Sequence, residues 1–375
     1  MSTTRGAAES KAFLRSSTGK VGSVRRTRIS ATLATISGVI VALLAADLAL
    51  RPWGPPLYWA NVRPVAEDSL SAPVLTFRSY QEGIATAHFT PSGARLTGNP
   101  PIPGAPYILI VGDSFVAELQ VPDRETIGAQ VEALSRSEGH GVNIRQYGWI
   151  AAGPAKYVVE APELRAKWRP SMTVAILNLD DFAPEALDDH WTIMRFTGNA
   201  PAYVVRVPPL SRNKIHAFVQ QAALKSPLLH ELLAQFTAIE WPLIAKAFPS
   251  IGGDRTAGSS SAQAAVPSHD EIIRESVSQL HRAYGNNLLL IFASEPGLQN
   301  LPDPTDTELL ADCKAQSVDC LSTRADFLDA RDSGRFLAAG FGNSQPGAGH
   351  YNRDGIGLIA RDIWQDYCER RPETR

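Results

Sequence analysis

Short apolar runs alternate with longer segments of helical periodicity along most of the chain from residue 107 onwards. The short runs are typical of buried strands, and the longer segments repeat apolar positions every three to four residues, as helices do. Strands are predicted at residues 107–111, 142–147, 172–179, 288–293 and 318–321, and helices at residues 126–137, 155–167, 269–284, 306–316 and 354–369. Alternating strands and helices form parallel βαβ units, so residues 107–371 are predicted to form a three-layer α/β/α domain with a mostly parallel sheet.

This alternation is interrupted between about residues 183 and 267. Residues 215–248 are strongly apolar and helix-like, and residues 252–267 are small and polar. We therefore predict a helical cap or lid inserted into the α/β domain. Its apolar surface has three interpretations: it shapes a substrate cleft, it binds a membrane-protein partner or the bilayer surface, or it packs on the core.

A different pattern marks the N-terminal part. Residues 29–50 carry Asp47 as their only charge, and this run is long enough to cross a hydrocarbon core of about 30 Å. Residues 1–28 hold seven Lys or Arg and one acid, which predicts a cytoplasmic basic tail, one transmembrane helix and a domain outside the inner membrane, in the periplasm. A cleaved signal peptide and a buried core helix are the alternatives.

Residues 51–106 are rich in proline and glycine, with strand-like pieces at residues 74–77 and 84–89. This composition predicts a tether that continues into an irregular N-terminal arm packed on the main domain.

Charge and cysteine content narrow the choice of partners. A net charge of -2, with 36 basic and 38 acidic residues, gives no basic field for nucleic acid. Cys313 and Cys320 are close enough in sequence to pair in an oxidising compartment or to remain buried thiols, and Cys368 is left over. No cysteine and histidine spacing indicates zinc, and no metal or organic cofactor is expected.

Two short segments carry the candidate chemistry. Gly112, Asp113 and Ser114 end the first core strand, where a serine is presented at the carboxyl edge of the sheet. His350 lies in a glycine-rich loop before the last helix, which is expected to pack near that strand. A serine there is either a nucleophile with a histidine base or a helix cap.

Together the two segments resemble the SGNH (GDSL-like) hydrolase superfamily, in its membrane-anchored bacterial branch, whose fold is flavodoxin-like. GDSF resembles the nucleophile block, QYGWIAAGPAKY the second block, ILNLDDF the third block, and GHYNRDG the histidine block with Asn352 and Gly355. The resemblance implies a nucleophilic Ser114, a general base His350, and an oxyanion hole built from the N–H groups of Ser114 and Gly148.

The chain departs from the family pattern at two places. The asparagine of the third block falls on Asp180, so the third oxyanion donor is either Asp180 held protonated or the amide of Asn178, unless the hole has two donors. The acid usually found two or three residues before the histidine is absent. His350 is then oriented by a backbone carbonyl, as in a Ser-His dyad, or by a distant acid such as Asp332.

Asp188, Asp189, His190 and Trp191 look like a signature of alginate O-acetylation proteins, but follow the third block instead of preceding the first. We interpret them as a surface or lid element.

These observations predict a membrane-anchored periplasmic serine esterase that removes or transfers O-acetyl groups on a cell-surface or exported glycan. The alternatives are a lipid or thioester esterase and a non-catalytic glycan-binding or scaffold protein. The acyl group, the acceptor and the oligomeric state stay open at this stage.

Overall fold

The structure is a computed structural model that describes most of the predicted α/β domain. The described residues are 37–39, 41–45, 75–79, 82–90, 92–150, 152–182, 188–189, 192–197, 200–206, 267–293 and 304–371. The chain divides into two units, one of Pro56–Arg212 and Arg255–Arg375 and one of Met1–Pro55 and Asn213–Asp254. Every element below belongs to the first unit. In the second, only the helical residues 37–39 and 41–45 are described.

A five-stranded parallel sheet forms the centre of the first unit. Its strands are β3 (Tyr107–Gly112), β4 (Asn143–Gly148), β5 (Met172–Leu177), β9 (Leu288–Phe292) and β10 (Asp319–Ser322), in the spatial order β10-β9-β5-β3-β4. The helices are α1 (Ser114–Ala117), α2 (Ile127–Ser137), α3 (Pro154–Trp168), α4 (His269–Tyr284), α5 (Pro304–Ala315), α6 (Arg324–Asp332) and α7 (Arg353–Arg370). The predicted parallel α/β architecture is confirmed, and each predicted core element lies within two residues of its observed bounds.

Alternate residues of the sheet bury their side chains on opposite faces. Ile108 and Ile110 of β3 pack into one apolar cluster with residues of α2 and α7, whereas Leu109 and Val111 pack into a second cluster with residues of α3 and α4. Every residue of β5 and β9 is buried, as expected for central strands covered on both faces. The result is three layers, with the carboxyl ends of β3, β4 and β5 meeting at one edge.

The N-terminal arm contains an antiparallel hairpin of β1 (Leu75–Ser79) and β2 (Ala85–Phe89). This confirms the two strand-like pieces predicted before residue 106. After the hairpin, the Arg95 N–H donates to the Gln146 carbonyl at 2.8 Å, so the arm pairs with the outer edge of β4. Ala87 and Phe89 pack with Ala117 and Leu119, next to the first helix.

The described part of the predicted helical insertion is a sheet. Strands β6 (Asp188–Asp189), β7 (Thr192–Thr197) and β8 (Ala200–Arg206) pair antiparallel, and Met194 is buried. The prediction of a helical insertion is therefore wrong for these residues. The sequence held the signal, since β-branched and aromatic residues flank Gly198 and Asn199, a pair suited to a tight hairpin. The helix-like segment 215–248 lies outside the described residues.

The structure shows the pairing of the cysteines and describes only a small part of the predicted transmembrane run. Cys313 and Cys320 form a disulfide between the end of α5 and β10, and Cys368 is a buried free thiol. Most of the predicted transmembrane run 29–50 lies outside the described residues. Within the part of the chain that is described, no helix has the length and apolarity needed to cross a bilayer.

Candidate active site

The turn after β3 presents Ser114 as the first residue of α1. Gly112 fits this turn because a Cβ atom there would lie 2.3 Å from Val116 Cγ2 and 3.0 Å from the Ile176 carbonyl oxygen. Asp113 is the N-cap, and its carboxylate accepts the Phe115 N–H at 2.9 Å. Strand end, glycine and cap together fix the direction in which Ser114 leaves the sheet.

Ser114, His350 and Glu82 form a continuous hydrogen-bonded chain. Ser114 Oγ lies 3.0 Å from His350 Nε2, and His350 Nδ1 lies 2.6 Å from Glu82 Oε2. The other oxygen of the same carboxylate accepts the backbone N–H of His350 at 2.7 Å. Glu82 therefore fixes both the position of the residue and the direction of its ring.

This arrangement defines the proton positions that the chemistry needs. A carboxylate beside Nδ1 favours the tautomer in which Nδ1 carries the proton, because an ionised carboxylate only accepts hydrogen bonds. Nε2 is then free to accept the hydroxyl proton of Ser114. The ring of Phe115 packs against the imidazole at 4.7 Å and limits its rotation.

The histidine loop is bound to the domain on both sides of His350. Asn352 is the N-cap of α7, accepts the N–H groups of Asp354 and Gly355, and donates to the Leu337 carbonyl at 2.7 Å. A Cβ atom on Gly355 would lie 2.1 Å from the Ala338 carbonyl oxygen, so glycine is required for this close approach. Asn352 and Gly355 thus hold the loop, as their predicted structural role requires.

The orienting acid differs from the one suggested by the sequence. Asp332 pairs with Arg331 at 2.8 Å on an exposed part of α6, and Glu82 occupies the place next to His350. Of the two alternatives for orienting His350, a backbone carbonyl or a distant acid such as Asp332, the contact observed is with a distant acid, and that acid is Glu82 instead of Asp332. Glu82 lies 268 positions before His350, and no local sequence pattern links the two.

The backbone N–H of Ser114 is suited to an oxyanion hole. It is the first N–H of α1, and among the described residues no acceptor contacts it. The N–H of Trp149 donates to the Gly112 carbonyl at 3.0 Å, and successive N–H groups of a strand point to opposite edges. The N–H of Gly148 consequently points away from β3, so this geometry gives no support to its predicted role as a donor.

Asn178, a residue of the third block, contacts the turn that carries Ser114. Asn178 is buried, and its amide donates to Asp113 Oδ2 at 2.7 Å. Its side-chain oxygen accepts the N–H of Asp180 at 2.8 Å, whereas the carboxyl group of Asp180 is exposed. No contact of either side chain therefore supports the predicted role of Asn178 or Asp180 as an oxyanion donor. Asn178 instead connects β5 to the N-cap of α1.

Two buried carboxyl groups flank Asn178. Burial raises the pKa of Asp113 to about 6, against the lowering effect of the Phe115 N–H, the Asn178 amide and the charge of His350. Burial, followed by the charge of Asp113, raises the pKa of Asp181 well above its usual range. Asp181 accepts from the hydroxyl of Tyr157 at 3.1 Å. With a pKa of about 6, Asp113 is expected to be ionised at neutral pH.

A third buried acid, Glu118, lies at the end of α1. Glu118 follows α1 with a φ of 49°, and both of its carboxylate oxygens accept the Ile127 N–H at 3.0 Å. The Gln146 amide also donates to Glu118. Burial raises the pKa of Glu118 to about 8, although these donors and Arg95 lower it. This acid joins the serine turn to the start of α2.

Substituting Glu118 by glutamine is expected to reduce the pH dependence of stability. The folded pKa of about 8 lies above the ordinary value of 4.5. The stability from this group is therefore fully present below the lower value and is lost as pH rises to the higher one. Between about pH 5 and pH 8, the free energy of unfolding should fall less in Glu118→Gln, by a few kcal/mol.

Urea unfolding at both pH values measures this difference, with Glu163→Gln as the control because Glu163 is an exposed carboxyl on α3. If Glu118→Gln and the wild type show the same dependence on pH, Glu118 does not hold the extra proton.

Within the described ranges, no group of three or more His, Cys, Asp or Glu side chains is arranged to hold a metal ion.

No family model and no curated protein matches the chain. Several solved structures are similar to it. The match to a lipase/acylhydrolase from Enterococcus faecalis spans 71% of this chain and 96% of that protein, with 12% sequence identity and a TM-score of 0.39. A psychrotrophic esterase from a Pseudoalteromonas species covers 70% and 97%, with 10% identity and a TM-score of 0.36. An acetyl xylan esterase from Geobacillus stearothermophilus covers 70% and 94%, with 10% identity and a TM-score of 0.36. Similarities of this size do not establish a family for this chain.

Proposed function

We propose that the protein is a serine ester hydrolase of the SGNH type, with Ser114 as nucleophile, His350 as general base and acid, and Glu82 as the orienting acid. The observation that carries this proposal is the unbroken chain of hydrogen bonds from Ser114 Oγ through the imidazole to the Glu82 carboxylate. A serine hydroxyl becomes an effective nucleophile when a base takes its proton and a third group orients the base.

The reaction follows from the positions of the protons. Ser114 Oγ attacks the ester carbonyl carbon while His350 Nε2 takes the hydroxyl proton. The bond to the alcohol oxygen then breaks, and His350 returns the proton to that oxygen, which leaves an acyl-enzyme. Water attacks the acyl-enzyme, gives a proton to His350, and releases the carboxylic acid as Ser114 regains its proton.

The carboxylate of Glu82 stabilises the positive imidazolium that forms in both steps. The N–H of Ser114 donates to the developing oxyanion, a contact whose loss in such sites costs about 10²–10³ in rate. Attack by a sugar hydroxyl in place of water would convert the same acyl-enzyme into an acetyl donor, so hydrolysis and transfer share one site.

The proposed substrate is an O-acetyl group on a cell-surface or exported glycan. This substrate fits a domain outside the inner membrane, with residues 29–50 as the anchor and residues 1–28 in the cytoplasm. The disulfide of Cys313 and Cys320 supports an extracytoplasmic location, since disulfides persist in oxidising compartments. A membrane-protein partner for the segment 215–248 remains part of this proposal.

One observation favours a second candidate, an esterase for longer acyl chains or lipids. In the described residues of the α/β unit, the exposed large hydrophobic side chains are Ile84, Ile150 and Leu179, at 78%, 43% and 49% exposure. All three lie on segments that reach the catalytic edge, after Glu82, β4 and β5. Exposed apolar residues grouped near a site are suited to contact an apolar part of a substrate.

Side chains of Ser114 and His350 lying far apart would favour the non-catalytic alternative. Their side chains lie within hydrogen-bond distance of each other, and a carboxylate completes the set. The geometry therefore favours catalysis over a glycan-binding scaffold.

Ester hydrolysis by the full-length chain in detergent tests this proposal. The substrates are p-nitrophenyl acetate, butyrate and octanoate, together with an acetylated polysaccharide whose released acetate is measured. We expect release of acetate, the highest kcat/KM on the acetyl ester, and loss of activity in Ser114→Ala. A maximum on octanoate would favour the second candidate, and folded protein that hydrolyses none of the esters would contradict the proposed function.

A further inference from the structure

The catalytic acid lies on a turn of the arm that touches the histidine loop. The loop residue Asn343 holds this turn by its amide group: its side-chain oxygen accepts the Gly83 N–H at 2.9 Å, and its side-chain nitrogen donates to the Gly83 carbonyl at 3.3 Å. The two bonds join segments 260 residues apart. One side chain therefore binds both backbone polar groups of the residue after Glu82.

Two glycines, Gly83 in the turn of the arm and Gly349 in the loop of His350, lie where the backbone passes close to other groups. Gly83 has a φ of +68°, and a Cβ atom there would lie 2.4 Å from the Gln120 carbonyl oxygen. Gly349 has a φ of +77°, and a Cβ atom there would lie 2.1 Å from Glu82 Oε1. Gly349 lets the carboxylate approach the backbone of His350, Gly83 lets the turn of the arm approach Gln120, and Asn343 supplies the polar contacts between the turn and the loop.

The position of Asn343 argues against a general role in stability. Its side chain is exposed, and exposed polar substitutions usually change stability by less than about 0.5 kcal/mol. The loop around it has bonds of its own: the Gly340 N–H donates to the His350 carbonyl at 3.1 Å, and the Gly347 N–H donates to the Ala339 carbonyl at 3.0 Å. Removal of the Asn343 amide would leave these bonds in place.

We infer that Asn343 is a positioning residue of the active site, which acts through Glu82 by fixing the arm turn against the histidine loop. This inference rests on the proposed function. A small displacement of a group that orients the base is costly, since misplacement by about 1 Å can lower a rate by about 10². Removal of the Asn343 amide should thus lower kcat by about 10- to 100-fold and leave KM within about twofold.

A double-mutant cycle on the full-length chain tests the inference. The variants are Asn343→Ala, Glu82→Gln and the combination, assayed for kcat and KM on p-nitrophenyl acetate, with thermal unfolding as a check of folding. Asn286→Ala is the matched control, because Asn286 is also exposed but lies before β9, at the opposite edge of the sheet. In a Glu82→Gln background, Asn343→Ala should cause no further loss, because its effect passes through the carboxylate.

The outcomes separate this inference from the proposed function. If wild type is active and Glu82→Gln is impaired, but Asn343→Ala retains wild-type kcat, the inference alone is overturned. An equal loss from Asn343→Ala in both backgrounds also overturns it, since the residue would then act independently of Glu82. If the wild type hydrolyses no ester, the proposed function fails and the inference fails with it.

Discussion

Glu82→Gln is expected to lower kcat for ester hydrolysis by about 10³–10⁴ and to leave KM almost unchanged. The amide oxygen of glutamine can still accept the backbone N–H of His350, which Glu82 Oε1 accepts at 2.7 Å. Its neutral amide cannot stabilise an imidazolium, and an amide nitrogen facing Nδ1 favours the tautomer with the proton on Nε2. That tautomer cannot take the proton of Ser114.

Asp332→Asn is the matched control, because it removes an exposed carboxylate that pairs with Arg331 and not with His350. Steady-state kinetics on p-nitrophenyl acetate should give wild-type values for this control. Equal activity of Glu82→Gln and wild type would show that His350 needs no orienting acid and works with Ser114 as a dyad.

Gly148→Ala is expected to have the largest effect on stability, a loss of about 3 kcal/mol or more. A Cβ atom at Gly148 would lie 2.0 Å from the Ala117 backbone nitrogen and 2.4 Å from its Cα. These are backbone atoms of α1, so the clash can be relieved only by moving the helix that carries Ser114. Ester hydrolysis should fall together with stability.

Gly357→Ala is the control for this substitution. Gly357 lies inside α7, and the nearest atom to an added Cβ is the flexible end of the Gln130 side chain, at 2.9 Å. Alanine in a helix is favoured over glycine by roughly 0.5–1 kcal/mol, so the control should be neutral or stabilising. Urea unfolding measures both variants, and similar stability of Gly148→Ala and wild type would mean that α1 does not approach β4 this closely.

The parallel sheet could be predicted because its signal is local. Buried strands such as β5 and β9 are short and apolar throughout, and amphipathic helices such as α4 repeat on one face. The observed bounds of α4, His269–Tyr284, equal the predicted ones. A capping box at Ser268 marks the start of the helix, and Gly285 marks its end. The pattern does not predict the strands β6, β7 and β8, because the strongly apolar, helix-like run at residues 215–248 indicates a helical insertion.

The sequence predicts only part of the candidate active site, because not all of its residues lie in recognisable motifs. Ser114 and His350 lie in short recognisable motifs, which predict that the histidine lies beside the edge that carries the serine; in the structure His350 Nε2 is 3.0 Å from Ser114 Oγ. Glu82 lies in a stretch with no such motif, and only the folded arm brings it to His350. The residue type of Asn178 allows an oxyanion donor, but the contact of its amide with Asp113 depends on the packing of β5 beside β3.

Under the proposed function, the N-terminal arm supplies the acid that orients His350. It was predicted as a tether that packs on the domain, and its hairpin, its bridge to β4 and its contact with the histidine loop go beyond that role. Three segments distant in sequence, the arm turn, the serine turn and the histidine loop, must meet to form the site. Removal of the residues before 107 would therefore remove the acid next to His350.

The rate at which a fluorophosphonate probe labels the full-length protein, beside Ser114→Ala and His350→Ala, tests whether Ser114 is an activated nucleophile. We expect labelling of wild type at Ser114, confirmed by mass spectrometry of the modified peptide. We also expect no labelling of Ser114→Ala and a strongly reduced rate in His350→Ala. Absence of labelling in folded wild type, or an equal rate in His350→Ala, would contradict an activated serine at this site.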